Sequence, residues 1–282
     1  MRIKITSDST CDLSADILEK HGITLMPLTV IKNDRAFRDN VTITPAEIFD
    51  HVAAGGELCS TTAVSIGEYQ DFFAPLAEEY DGVVHINLGS GFSSSYQNAC
   101  LAAEEFTNVV AVDSRNLSTG QGLVALKACR LAETAESLEE IKGQLEAFTE
   151  KVEASFLVDK LDYLVKGGRC SSAAALGANL LNLKPCIEVK DGKMGVAKKY
   201  RGKYDKCLAS YVRDHLEGRE DLDLSMPLFI TQTRVSDQCY AAVKEAVSAC
   251  DSGFEAIYET VAGCTISCHC GPGTLGVLYV RK

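Results

Sequence analysis

The chain has 282 residues, of which 46% are hydrophobic and 24% charged, and its formal net charge is −11. That length exceeds the roughly 100 to 200 residues of one domain, so two domains are expected. The acidic balance argues against nucleic acid as a partner, because a phosphate backbone selects a basic face. No apolar run approaches the roughly 20 residues that span a bilayer, and the start, Met1-Arg2-Ile3-Lys4-Ile5, enters a strand pattern without a signal core. The expectation is a cytoplasmic protein with no integral membrane segment.

Ile3-Lys4-Ile5-Thr6 reads as a first strand, followed by the polar turn Ser7 to Ser14 and a helix ending near His21-Gly22. An apolar run from Ile23 to Ile31 is broken by Pro27. Thr44-Pro45-Ala46-Glu47 has the form of an N-cap with proline at the first helical position. Ser60-Thr61-Thr62 reads as a second cap, ahead of a helical pattern from Ile66 to Tyr80. Gly82 to Leu88 is a continuous apolar run of the kind found in parallel strands covered on both faces. A Gly/Ser loop follows it, then a helix from Ser95 to Glu105, the strand Val109 to Asp113 and a long helical region broken near Thr134 to Ser137.

Beyond residue 155 the pattern changes. Ile187 to Lys190 and Met194 to Ala197 flank Asp191-Gly192, a strong hairpin signal. Strands at Leu228 to Thr233, Ala256 to Val261 and Leu275 to Val280 alternate with helices at about 204–217 and 236–250. The fold class expected is α/β, with an N-terminal parallel-sheet α/β domain over 1–155 and a C-terminal α+β domain over 156–282 whose sheet is largely antiparallel.

The loop Gly89-Ser90-Gly91-Phe92-Ser93-Ser94-Ser95 places hydroxyls beside the free N–H groups of the next helix's first turn, which suits an anion, phosphate or carboxylate alike. It is also a serviceable serine-capped turn, and it lacks the GxxxxGK[ST] pattern of a nucleotide site. Thr61 and Thr62 are a second hydroxyl pair or a simple cap. His269, ahead of Gly271-Pro272-Gly273, presents a ring nitrogen from a rigid turn. Lys166-Gly167-Gly168-Arg169 is either a helix terminus or a phosphate grip, since guanidinium binds phosphate bidentately. Ser93, His269 and Asp113 supply the letters of a nucleophilic triad without a GxSxG elbow. The twelve cysteines read as free thiols, with Cys264, Cys268, His269 and Cys270 a metal-type cluster that lacks a second CxxC pair.

Taken in order, these blocks, together with Ser7-Asp8-Ser9-Thr10, Asp113-Ser114 with Ser118-Thr119-Gly120, Leu161 to Arg169 and His269 to Thr274, resemble the DegV family across almost the whole chain. The resemblance implies a fatty-acid-binding protein of the FakB type, a carrier rather than an enzyme, without a cofactor. A separate fatty acid kinase would phosphorylate the bound acid's carboxylate to an acyl phosphate for phospholipid synthesis. It also implies that Ser93, Thr61 and Thr62 hold the carboxylate, that His269 joins their network, and that Arg169 lies near the site of kinase action. Two positions depart from the family pattern. Thr61-Thr62-Ala63-Val64 stands where Thr-Ser-Gln-Pro is common, and Ser94 replaces a frequent glycine, adding either a hydroxyl contact or a helix cap. Ala173 to Leu183 supplies either one wall of an acyl tunnel, over Leu176 to Leu183, or an ordinary core helix. The rival functions are an acyl or phosphoryl transferase with Ser93 as nucleophile and His269 as base, and a metal sensor built on Cys264, Cys268 and Cys270.

Overall fold

The computed structural model describes residues 1–175 and 183–282. The tunnel-wall expectation at 176–182 lies outside the described residues.

The first half runs β1 (Ile3–Asp8), α1 (Ala15–His21), β2 (Thr24–Met26), β3 (Thr29–Lys32), β4 (Arg35–Arg38), α2 (Pro45–Ala53), β5 (Ser60–Thr62), α3 (Ile66–Glu79), β6 (Gly82–Asn87), α4 (Ser95–Ala103), β7 (Val109–Asp113), α5 (Ser118–Ala132) and α6 (Leu138–Thr149). The second runs β8 (Val152–Leu157), α7 (Asp162–Gly167), α8 (Ser171–Ala174), β9 (Leu183–Lys190), β10 (Lys193–Arg201), α9 (Tyr204–Leu216), β11 (Leu228–Thr233), α10 (Asp237–Cys250), β12 (Ile257–Val261), α11 (Cys264–Cys270) and β13 (Thr274–Val280).

The first sheet is parallel throughout, in the order β2-β1-β6-β7. Every residue of β6 is buried, as its unbroken apolar run requires of a central strand covered on both faces. The second sheet, β10-β9-β8-β13-β11-β12, is antiparallel except where β11 meets β12. Asp191 and Gly192 both take positive φ, 51° and 72°, in the two-residue turn between β9 and β10, the conformation that a tight hairpin demands.

Three features depart from the sequence expectations. The boundary expected at 155 falls inside β8, which begins at Val152. Val152, Ala154 and Phe156 alternate onto one face, so the strand signal starts ahead of its most apolar stretch, Phe156-Leu157-Val158. A third sheet, β4-β3-β5, was not expected. Its strand β5 is the segment read as a helix cap, and the helix that follows is capped by Ser65, whose side chain and Glu68 form a reciprocal capping box. Ser60-Thr61-Thr62 combines cap-forming hydroxyls with β-branched side chains, and pairing with β3 decides for the strand.

Helix α5 lies between the two large sheets. It is buried from Ser118 through Leu126, packing with β1 and β6 on one side and with β8, β11 and β13 on the other. Its polar residues are matched across these contacts. Gln121 bonds Ser7 and Thr10 of the first half, while Thr119 meets Thr231 of the second at 2.6 Å. Among the described residues no helix is long and apolar enough to cross a membrane.

Candidate functional site

The Gly/Ser loop leaves the carboxyl end of β6, the position at which open parallel sheets place ligands. Two carboxylates, Asp8 buried and Asp113 partly exposed, fix it. Asp8, at the end of β1, accepts hydrogen bonds from the Leu88 N–H at 2.8 Å and from Tyr69 Oη at 2.6 Å. Asp113, at the end of β7, accepts from the Ser90 N–H at 3.0 Å and the Ser90 hydroxyl at 2.5 Å. From above, the β9–β10 hairpin presses on the loop so closely that a Cβ at Gly91 would collide with the Gly192 carbonyl oxygen. Only glycine allows that approach.

At the far end of the loop, the Ser93 hydroxyl lies 2.9 Å from Ser95 Oγ and accepts from the Ser95 N–H at 3.1 Å. Ser93 therefore does the work of a cap for α4. Ser94, in the N-cap position, makes no side-chain cap bond, is exposed, and does not line the cavity described below. It is removed from the candidate site, because the chain turns it outward as the helix begins.

The structure brings Thr61 and His269 together, with Thr61 Oγ1 2.8 Å from His269 Nε2. Thr61 is presented by β5, paired to Val30 of β3. His269 sits in the last turn of α11, a short helix, rather than in the Gly-Pro-Gly turn that follows it. Two carboxylates from the first half hold the start of that helix. Asp12 accepts from the Gly263 N–H at 2.8 Å and Asp39 from the Cys264 N–H at 2.8 Å, where the N-terminal end of a helix favours negative charge. Burial, opposed by the Ser118 and Gly263 hydrogen bonds, pushes Asp12 up to about 8.

Burial, then the Arg169 cation, pushes His269 down from 6.5 to about 4, so its ring is neutral at neutral pH. Its buried Nδ1 has no hydrogen-bond partner among the described residues. A Cβ at Gly167 would lie 2.6 Å from that nitrogen, so the Gly-Gly pair of the sequence block is what admits the ring. Gly168 closes α7 in the left-handed conformation, φ 70°, and turns the chain so that Arg169 reaches the cavity rim. There its Nη1 donates to the Gly167 carbonyl at 2.8 Å and its Nε lies 3.4 Å from the Phe92 carbonyl.

Thr61, Thr62, Ser93, His269 and Arg169 line one cavity between the two halves. Leu28, Ala63, Leu88, Phe92, Leu117, Leu164, Met194, Ile266 and Cys270, with the Thr265 side chain, form the rest of its wall. A second pocket, lined by Phe156, Ala262 and Leu278, shares Leu117, Ile266 and Cys270 with the first, so the apolar lining continues toward the six-stranded sheet. Sequence reasoning missed Asp8, Asp12 and Asp39, which do not line the cavity but hold elements that do. Their sequence neighbours give no sign of partners as distant as Gly263.

The triad is not assembled. Ser93 bonds Ser95, His269 bonds Thr61, and Asp113 is engaged with Ser90. The cysteines of α11 diverge as well. Cys264 Sγ lies 3.2 Å from the Ile43 carbonyl, Cys268 packs beside Cys59, and Cys270 lines the cavity. Among the described residues these three form no group of metal-ligand spacing.

Fold and site together define a three-sheet α/β protein with a largely apolar cavity that hydroxyls, a neutral imidazole and a guanidinium also line. The family model described as "Uncharacterised protein, DegV family" matches residues 2–282, and the chain belongs to the DegV family. It is 32% identical over its full length to a DegV domain-containing protein of Clostridium acetobutylicum, covering 99% of that protein. To Protein DegV of Bacillus subtilis it is 31% identical, with both chains covered completely. Among solved structures it is similar to a fatty-acid-binding DegV family protein of Thermus thermophilus, with a TM-score of 0.89, 31% identity and full coverage of both chains. A stearic-acid-binding protein of Eubacterium ventriosum matches with a TM-score of 0.85 and 28% identity, over 99% of this chain and 98% of that one.

Proposed function

We propose that this protein binds one long-chain fatty acid in the cleft between its sheets and presents the carboxylate to a separate fatty acid kinase, which forms the acyl phosphate that feeds phospholipid synthesis. The observation that carries the reading is the convergence of Thr61, Thr62, Ser93 and His269 on one largely apolar cavity. A buried carboxylate is costly unless several donors meet it, and hydroxyls with a neutral imidazole supply them. Arg169 adds a positive charge at the rim, in reach of both the head group and an incoming phosphate. Each methylene buried along the apolar wall contributes about 0.8 kcal/mol, so the tail supplies affinity and the head supplies orientation. The similarity to a fatty-acid-binding DegV family protein and to a stearic-acid-binding protein supports the ligand class. The role requires no cofactor in this chain and fits a cytoplasmic carrier. The transferase alternative is weaker, because Ser93 and His269 do not bond each other.

Native mass spectrometry and lipid extraction of the purified chain should find a long-chain fatty acid near one to one. A protein that carries no acid and is not stabilised by added long-chain acids overturns the binding role. Adding a purified fatty acid kinase, ATP and hydroxylamine should yield an acyl hydroxamate. Its absence with loaded protein would remove the presenting role and leave binding intact.

A further inference from the structure

Away from the ligand cavity, a polar cleft opens beside β8, the β9–β10 pair and the end of α9. Cys186 and Glu188 are two apart on β9 and therefore share a face of the sheet. His215, in the last turn of α9, packs over that face. The three ligand atoms, Cys186 Sγ, a Glu188 carboxylate oxygen and a His215 ring nitrogen, all lie within 4.8 Å of one another. His215 Nε2 is 3.7 Å from Glu188 Oε1. Bonds of about 2.0 to 2.3 Å in a tetrahedral zinc site put neighbouring ligand atoms roughly 3.3 to 3.8 Å apart, so a side-chain adjustment of about 1 Å closes the group.

The other ring nitrogen separates this group from a chance cluster. His215 Nδ1 lies 2.9 Å from the Tyr211 carbonyl oxygen, which can only accept, so Nδ1 carries the proton and Nε2 turns its lone pair toward Cys186 and Glu188. The Tyr211 ring, 4.6 Å away between centroids, holds the imidazole in that orientation. Ligating histidines are oriented in just this way. Cys186 is fully buried, and among the described residues the one hydrogen-bond contact of its thiol is 4.0 Å, to the adjacent Ile187 carbonyl. Lys198, opposite Cys186 on β10, is bound to Asp214 at 2.6 Å, which offsets its charge.

We infer that Cys186, Glu188 and His215 form a binding site for a divalent cation of the zinc class, with the fourth position open to water from the cleft. The mixed sulfur, nitrogen and oxygen donor set suits zinc rather than calcium or magnesium. On binding, the Cys186 S–H bond breaks, its proton passes to solvent and the sulfur–metal bond forms. Thiolate and carboxylate then balance the two positive charges, and α9 is pinned to β9.

The test is a titration of the full-length, chelator-treated protein with zinc chloride against a chromophoric chelator. One equivalent should bind and raise the melting temperature, and His215→Gln and Glu188→Gln should each weaken binding at least tenfold. Cobalt(II) in place of zinc should give a sulfur-to-metal charge-transfer band that Cys186→Ser removes and Cys268→Ser retains. His215 and Glu188 are partly exposed, so their variants report even if Cys186→Ser fails to fold. A wild-type chain that binds no zinc, zinc affinity unchanged in both His215→Gln and Glu188→Gln, or a cobalt band that survives Cys186→Ser overturns the site.

Discussion

His269 makes the stability of the ligand-free protein depend on pH in a way that one substitution isolates. Its folded-state value, about 4, lies below the ordinary 6.5 because burial and the Arg169 cation both oppose protonation. In the unfolded chain the ring takes up a proton near 6.5, so acid favours unfolding. The contribution is fully present above pH 6.5, is lost as pH falls toward 4, and is constant below that. At about 1.4 kcal/mol per pH unit, the drop from 6.5 to about 4 corresponds to roughly 3 kcal/mol. Urea unfolding of wild type and His269→Gln at intervals between pH 7.5 and pH 4 measures it, because the carboxylates titrating in that window are common to both. The gap between the two curves should narrow by about 3 kcal/mol from the neutral to the acid end. Arg169→Gln, which removes the second cause, should narrow the wild-type drop only in part. Parallel curves for wild type and His269→Gln would refute the assignment of a buried, neutral ring.

Other expectations follow from the same geometry. Gly91→Ala drives a methyl into the Gly192 carbonyl; the loop or the hairpin must shift, and a loss of about 1 to 3 kcal/mol in chemical denaturation is expected. Gly167→Ala crowds His269 Nδ1 and should weaken fatty-acid retention, measured by lipid extraction, while leaving the melting temperature of the empty protein within a few degrees. Ser93→Ala should lower retention of the acid and Ser94→Ala should not, since only Ser93 lines the cavity; equal behaviour of the two would misplace the head-group site. Asp12, raised to about 8, acts opposite to His269. Its contribution is present below about pH 4 and is lost as pH rises toward 8, so Asp12→Asn should remove that decline between about pH 4 and pH 8.

Long-period features were the legible ones. The buried run of β6, the alternation of strands with helices and the Asp191-Gly192 turn each declare themselves within a few residues, because the physics that forms them is local. The candidate hydroxyls were also found, yet Thr61 was placed on the wrong element. A three-residue strand is too short to show period-two alternation, and a threonine pair suits a cap as well as an edge strand. His269 was assigned to a turn because the glycines after it dominate the local signal, while α11, built of Cys, Thr, Ser and Ile, has no amphipathic stripe to announce a helix. The partners of Asp8, Asp12 and Asp39 were illegible for a different reason. Their hydrogen bonds join residues separated by up to 251 positions, and no local pattern encodes such a pairing.

Helix α5 has a consequence for how a ligand enters. A hinge between lobes needs a connecting element that can lose one set of contacts cheaply, and α5 has apolar and polar matches on both sides, buried over its first half. Swinging the sheets apart would strand Thr119 if the helix stayed with the first sheet, or Gln121 if it left with the second. For the proposed acyl ligand, exchange is then expected at the rim, where the hairpin meets Gly91 and Arg169 is exposed. Exchange should run at the pace of a loop moving over a fixed frame, and a crosslink between the β9–β10 turn and the Gly/Ser loop should lock a bound acid in place without changing the fold around it.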